Sequence, residues 1–195
     1  MGIRQTNPQR AEDRRVIDAF LDLSGAVGIE ADGMRSAFIL DERPIVRYMG
    51  DGVFLFSEGL KRADDSALAA LIAHELGHLE LGHLEGRAMR DFGVELGISL
   101  VANLAKVEMD DEGEKQATGW VNEITLGSFL FQQEVEADLY GVAILAAAGY
   151  EERAGRTTIE TLTWLDGVAE ESAAGPLAPH GFRPERRAVL EQAGD

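Results

Sequence analysis

The chain has 195 residues, none of them cysteine, and its 35 acidic against 18 basic side chains give a formal net charge of −17. That length, with an apolar share of 45%, fits one globular domain with a sizeable core. The missing cysteines exclude disulfides, thiolate catalysis and Cys-ligated metal sites, and the acidity argues against nucleic acid or an anionic membrane surface as a partner.

Met1 to Arg15 is polar and charged with no apolar run behind it, so no secretory signal is read there. No window has the length of apolar residues that a membrane span needs. A cytoplasmic location is the expectation, or a periplasmic one if the chain is a mature form. Val16, Ile17, Phe20 and Leu21 recur at helical spacing after Pro8 and predict a first helix over about 9–23. Gly25, Gly28 and Gly33 then break the pattern. Ala37–Leu40, Ile45–Tyr48 and Val53–Phe56 are short and rich in β-branched and aromatic residues, and Gly50-Asp51-Gly52 between the last two predicts a hairpin.

Asp64, Asp65 and Ser66 suit a helix N-terminus, where side-chain oxygens accept free backbone N–H groups. The helix that follows should run to about Gly82 on a stripe of Leu68, Leu71, Ile72, Leu76 and Leu79. A third helix is expected over about 86–106, then an acidic solvated loop from Met109 to Glu114. A long helix over roughly 128–148 should bury Val135, Leu139, Val142, Ala143 and Ala146, with Gly149 as its cap. Two more helices are expected, near 152–166 and near 184–193. A small sheet followed by helices makes the class α+β. The layout is one domain over 1–195: an N-terminal helix and loop (1–34), a sheet and helix (35–84), and a helical part (85–195).

Inside the second helix stands His74-Glu75-Leu76-Gly77-His78. Residues four apart lie one turn apart on nearly the same helix face, so the two imidazoles can share one zinc ion. A zinc-bound water has its pKa lowered to about 7, and Glu75 stands beside it as general base and later proton donor to the leaving amine. Two histidines leave one protein ligand missing. His83 does not fit a His-x-x-Gly-x-x-His continuation and is expected at the helix C-terminus, where the dipole favours it. A carboxylate pair on the long helix fits better. Glu134 and Asp138 are four apart on one face, so Glu134 could complete the zinc site and Asp138 could accept the free N–H of a ligating histidine. Glu136 points about 200° away and is expected in solvent or in an ion pair. Glu95 and Glu108 are rival third ligands.

With these motifs the chain resembles the zinc metallopeptidases that include the HtpX heat-shock peptidases and the CAAX prenyl endopeptidases. The shared words are His74-Glu75-Leu76-Gly77-His78, Glu134-Val135-Glu136-Ala137-Asp138, the segment Val53–Leu60, Tyr140-Gly141, Ala147–Tyr150 and the tail Pro179–Arg187. They extend over about residues 35–190. Gly181 stands where the family has a proline after the tail histidine, and Gln132-Gln133 replaces the usual lead-in to the glutamate. The resemblance implies one zinc ion on His74, His78 and Glu134, Glu75 as base, and Asp138 behind a ligand.

It also implies a gluzincin-type α+β fold with a small, mainly antiparallel sheet on the active-site helix and a helical subdomain after it. A peptide or protein substrate would add as a strand at the sheet edge, with Val53, Phe54, Leu55 and Phe56 as that edge. His180 would approach the zinc, either to stabilise an oxyanion or to cap the metal and hold the chain latent. Arg183, Arg186 and Arg187 are expected mainly in surface ion pairs, with oxyanion donation as the alternative. Tyr140 is expected to pack. The function expected is therefore a zinc-dependent endopeptidase; the alternative is a latent or non-catalytic zinc-stabilised binding module on the same fold.

Overall fold

A computed structural model of the chain describes residues 3–84, 129, 131–150, 153–171, 180 and 183–193. The expected helix over 86–106, the acidic loop and the rival ligands Glu95 and Glu108 lie outside the described residues.

Strand β1 (Ile3–Gln5) leads into helix α1 (Ala11–Ala26), which buries Val16, Phe20 and Leu23. This helix runs three residues past its expected end because the turn at Gly28, where φ is +73°, rather than Gly25, stops it. Strands β2 (Arg35–Ile39), β3 (Val46–Gly50) and β4 (Val53–Ser57) follow. The expected β3–β4 hairpin forms, and its turn holds Gly50, Asp51 and Gly52 at φ +95°, +45° and +70°. Those left-handed values are why two of the three are glycine.

The sheet order is β1-β2-β4-β3. Two neighbouring pairs are antiparallel and β2–β4 is parallel, so the sheet is mixed. This corrects one expectation. Val53, Phe54, Leu55 and Phe56 lie on β4, which is bonded on both sides and can accept no added strand. The outer strand beside the helix is β3. Their unbroken apolar character fits that interior place, since a strand covered on both faces loses its polar alternation.

A 3₁₀ turn (Glu58–Arg62) carries the chain to helix α2 (Asp65–Glu80). As expected, Asp64 caps it: its Oδ1 accepts the Ala67 N–H at 2.8 Å. Helix α2 is enclosed on nearly every side; Leu68, Ile72, Ala73 and Leu76 are fully buried between the sheet and helix α3 (Phe131–Leu145). On α3 the expected stripe holds only in part: Val142 and Ala146 pack half-buried against the core. Leu139 and Ala143 are exposed, and the buried face is Glu134, Ala137, Asp138, Gly141, Ile144 and Leu145. Two carboxylates occupy core positions because partners wait for them there. A π-turn (Ala146–Tyr150), helix α4 (Ala154–Glu171) and helix α5 (Arg183–Ala193) complete the helical part. Among the described residues no helix is long and apolar enough to cross a membrane.

Helices α2 and α3 touch backbone to backbone at two glycines. A Cβ on Gly77 would stand 2.7 Å from the Ala137 carbonyl oxygen, and one on Gly141 would stand 3.2 Å from the His74 nitrogen. This approach brings the carboxylates of α3 within reach of the histidines of α2.

Candidate metal centre

His74 and His78 project from α2 with their Nε2 atoms 3.0 Å apart. Glu134 of α3 is fully buried; one of its oxygens lies 3.5 Å from His74 Nε2 and the other 3.7 Å from His78 Nε2. His180 brings its Nδ1 to 3.1 Å from His74 Nε2 and 3.0 Å from Glu134 Oε1. One donor atom from each of these four residues lies within 4.8 Å of all the others. Ligands at about 2.0–2.1 Å on the vertices of a tetrahedron are separated by about 3.3 Å. Among His74, His78 and Glu134 the spacings of 3.0, 3.5 and 3.7 Å lie near that edge, and nitrogen and carboxylate donors suit zinc.

The side chains behind the donors fix them. Asp138, almost fully buried one turn beyond Glu134, holds His74 Nδ1 at 2.7 Å and so turns Nε2 toward the cluster. Arg186 from α5 is buried beneath both carboxylates. Its Nε and Nη2 donate to Asp138 at 2.7 and 2.6 Å, and its Nη1 donates to Glu134 at 2.7 Å. Arg183 and Arg187 instead pair with Asp166. The three tail arginines therefore divide: two make the expected ion pairs and one becomes part of the site.

Sequence reasoning missed Arg186 in this place. The available signal was the demand of two buried carboxylates for a cation. Phe129 was also missed; its ring stacks on His78 at 3.7 Å between centroids, with the Arg47 guanidinium 4.8 Å from the Phe129 ring. Tyr140 is half-buried against the core, as expected.

Glu75 lies behind the histidines and is buried. Its Oε2 accepts the backbone N–H of Tyr48 on β3 at 2.6 Å. Its Oε1 stands 2.6 Å from His180 Nε2 as an ion-pair contact and has no other hydrogen-bond partner among the described residues. A cleft lined by Glu75, His74 and His180 lies between Ile45 and Val46 on one side and Leu71, Leu165 and Val168 on the other.

His83 stands just past the end of α2, as expected, but it faces inward rather than into solvent. It is buried, with Nδ1 2.8 Å from His78 Nδ1 and Nε2 3.2 Å from Glu136 Oε2.

The electrostatics follow from burial. Burial and the charges of His74 and His180 push His78 far down, so it is neutral, as a ligand must be. Burial acts the same way on His74, but Asp138 and Glu134 outweigh it and raise His74 to about 9. Burial would raise Glu134, Asp138 and Glu75. His180 and His74 hold Glu134 down, His74 and Arg186 hold Asp138 down, and His180 with Arg47 holds Glu75 down. All three stay ionised, a negative set that draws a cation.

A sheet over a His-Glu-x-x-His helix, with a glutamate brought in from a following helical part, defines the class: a gluzincin-type metallopeptidase fold. The chain belongs to peptidase family M48, whose model matches residues 11–193. It is 31% identical over 129 residues to the beta-barrel assembly-enhancing protease of Escherichia coli (strain K12), and equally to the proteins of that name from Shigella flexneri and Escherichia coli O157:H7. Each match spans 63% of this chain and 26% of the relative, so the shared part is about a quarter of those proteins.

Proposed function

We propose that the chain is a zinc-dependent endopeptidase with His74, His78 and Glu134 as metal ligands, Glu75 as general base and Asp138 as the partner that orients His74. The observation that carries this reading is the convergence of donor atoms from α2 and α3 at tetrahedral spacing. The family and the word "protease" in the relatives' name support peptide-bond hydrolysis. Zinc held there would supply the Lewis acidity that makes a water nucleophilic at neutral pH.

The chain's own residues do the rest. Glu75, anchored through Oε2 by Tyr48, would use Oε1, which stands 2.6 Å from His180 Nε2, to take the water's proton and deliver it to the leaving amine. An extended peptide would lie in the cleft along β3, with apolar side chains against Leu71, Leu165 and Val168.

Glu75→Gln tests this. It should bind zinc as the wild type does and cleave a casein or peptide-library substrate about 10²–10⁴-fold more slowly. Wild-type rates in that variant would refute the assignment.

A latent form is a second reading, favoured by one observation: His180 Nδ1 lies 3.1 Å from His74 Nε2 and 3.0 Å from Glu134 Oε1, close enough to serve as a fourth ligand. If His180 caps the site, His180→Ala cleaves faster than wild type. If it serves the oxyanion, His180→Ala cleaves more slowly.

A further inference from the structure

The two helix histidines are supported differently. His74 rests directly on a buried carboxylate, Asp138. Among the described residues, the group at His78 Nδ1 is not a carboxylate but another imidazole, His83, at 2.8 Å. The turn that delivers His83 is fixed by its own backbone N–H, which donates to the His78 carbonyl at 3.1 Å. Beyond His83 lies Glu136 of α3, with Oε2 at 3.2 Å from Nε2 and Oε1 accepting from Gln132 Nε2 at 2.8 Å.

We infer that His83 and Glu136 are positioning residues that set the tautomer of His78 and aim its Nε2 lone pair at the metal. The inference rests on the metal-site reading above. A carboxylate only accepts, so the Glu136 contact requires the proton of a neutral His83 on Nε2. His83 Nδ1 then carries a lone pair and accepts from His78 Nδ1–H. That leaves His78 Nε2 unprotonated and facing Glu134 and His74. The reverse order would put a proton on His78 Nε2, where a cation must bind. Phe129, stacked on the His78 ring, keeps it from turning out of line. Helix α3 thus supports both histidines, His74 through Asp138 and His78 through Glu136 and His83.

The test is zinc affinity, read by competition with a chromophoric chelator on the full chain, together with long-range ¹H–¹⁵N spectra of the imidazoles. His83→Ala should bind zinc about 10–100-fold more weakly. His83→Asn, which offers an acceptor oxygen near the place of Nδ1, should recover most of that loss. In the zinc-loaded wild type the proton should sit on Nδ1 of His78 and on Nε2 of His83. The inference is overturned if His83→Ala binds zinc within twofold of wild type, if Asn does no better than Ala, or if the spectra show the His83 proton on Nδ1. The spectra decide even if the variants do not fold. Wild-type protein that binds no zinc at all would sink the metal-site reading together with this one. Tight wild-type binding unchanged by His83→Ala would sink this one alone.

Discussion

Arg186 has the strongest structural obligation of any single side chain at the site. It is 2% exposed and holds Glu134 and Asp138 through three hydrogen bonds, and those carboxylates in turn meet the histidines. Burying a charge without a partner is costly, and removing one member of a buried pair leaves the other uncompensated. Arg186→Gln should therefore lower the stability of the zinc-free protein by about 3–5 kcal/mol, measured by urea denaturation. Arg186→Lys should recover only part of this, because one ammonium cannot span two carboxylates as a guanidinium fork does. Glu136 shows what a helix-angle argument leaves out at this scale. It does point away from Glu134, but His83 reaches round the end of α2 to meet it.

At the scale of elements, the site depends on how closely α2 and α3 approach. The clash awaiting a Cβ at Gly77 is with backbone atoms of Ala137, which cannot swing aside. An alanine is ordinarily the better helix former by about 1 kcal/mol. Gly77→Ala should nevertheless destabilise, by about 1–3 kcal/mol, and weaken zinc binding as α3 is pushed outward. Gly167→Ala on α4, where a Cβ meets nothing within 4 Å among the described residues, should be neutral or stabilising. Thermal unfolding of the two variants side by side checks the opposite signs. Strand β1 was not expected, but the bounds of most described helices and of the hairpin came within a few residues of the sequence expectation, because Pro8, Asp64 and the Gly-Asp-Gly turn are local signals. The buried face of α3 did not. An apolar stripe is a good guide only where the core is apolar, and here the carboxylates go inward.

Across the whole molecule, a second polar network ties β1 to α1 and to the 3₁₀ turn after β4. Arg4 on β1 donates to both oxygens of Asp13 on α1 and to Glu58 after β4, each at 2.5 Å. Burial pushes the Asp13 carboxyl up, but the Arg4 bonds and the Asn7 N–H outweigh it and hold it below its ordinary range. The sign follows from linkage. A carboxylate with a lowered folded pKa stabilises above its unfolded value and loses that contribution as pH falls through the folded one. The stability advantage of wild type over Asp13→Asn should thus be constant near neutral pH and shrink below about pH 4, in denaturation curves taken across that range. The net charge of −17 adds self-repulsion at neutral pH.

The sequence by itself determined the α+β class, the ends of most described helices, the hairpin, and the donor types: a histidine pair one turn apart and a carboxylate pair one turn apart. These are properties of a few adjacent residues, and helical or strand periodicity expresses them directly. Only the tertiary structure decided that β4 is interior and β3 the outer strand, that Arg186 rather than its neighbours enters the site, and that His83 lies behind His78. Each depends on which distant segments meet. Strand order is set by crossovers between elements, and a buried ion pair by whichever cation the packing delivers, so neither is written in any local stretch of chain.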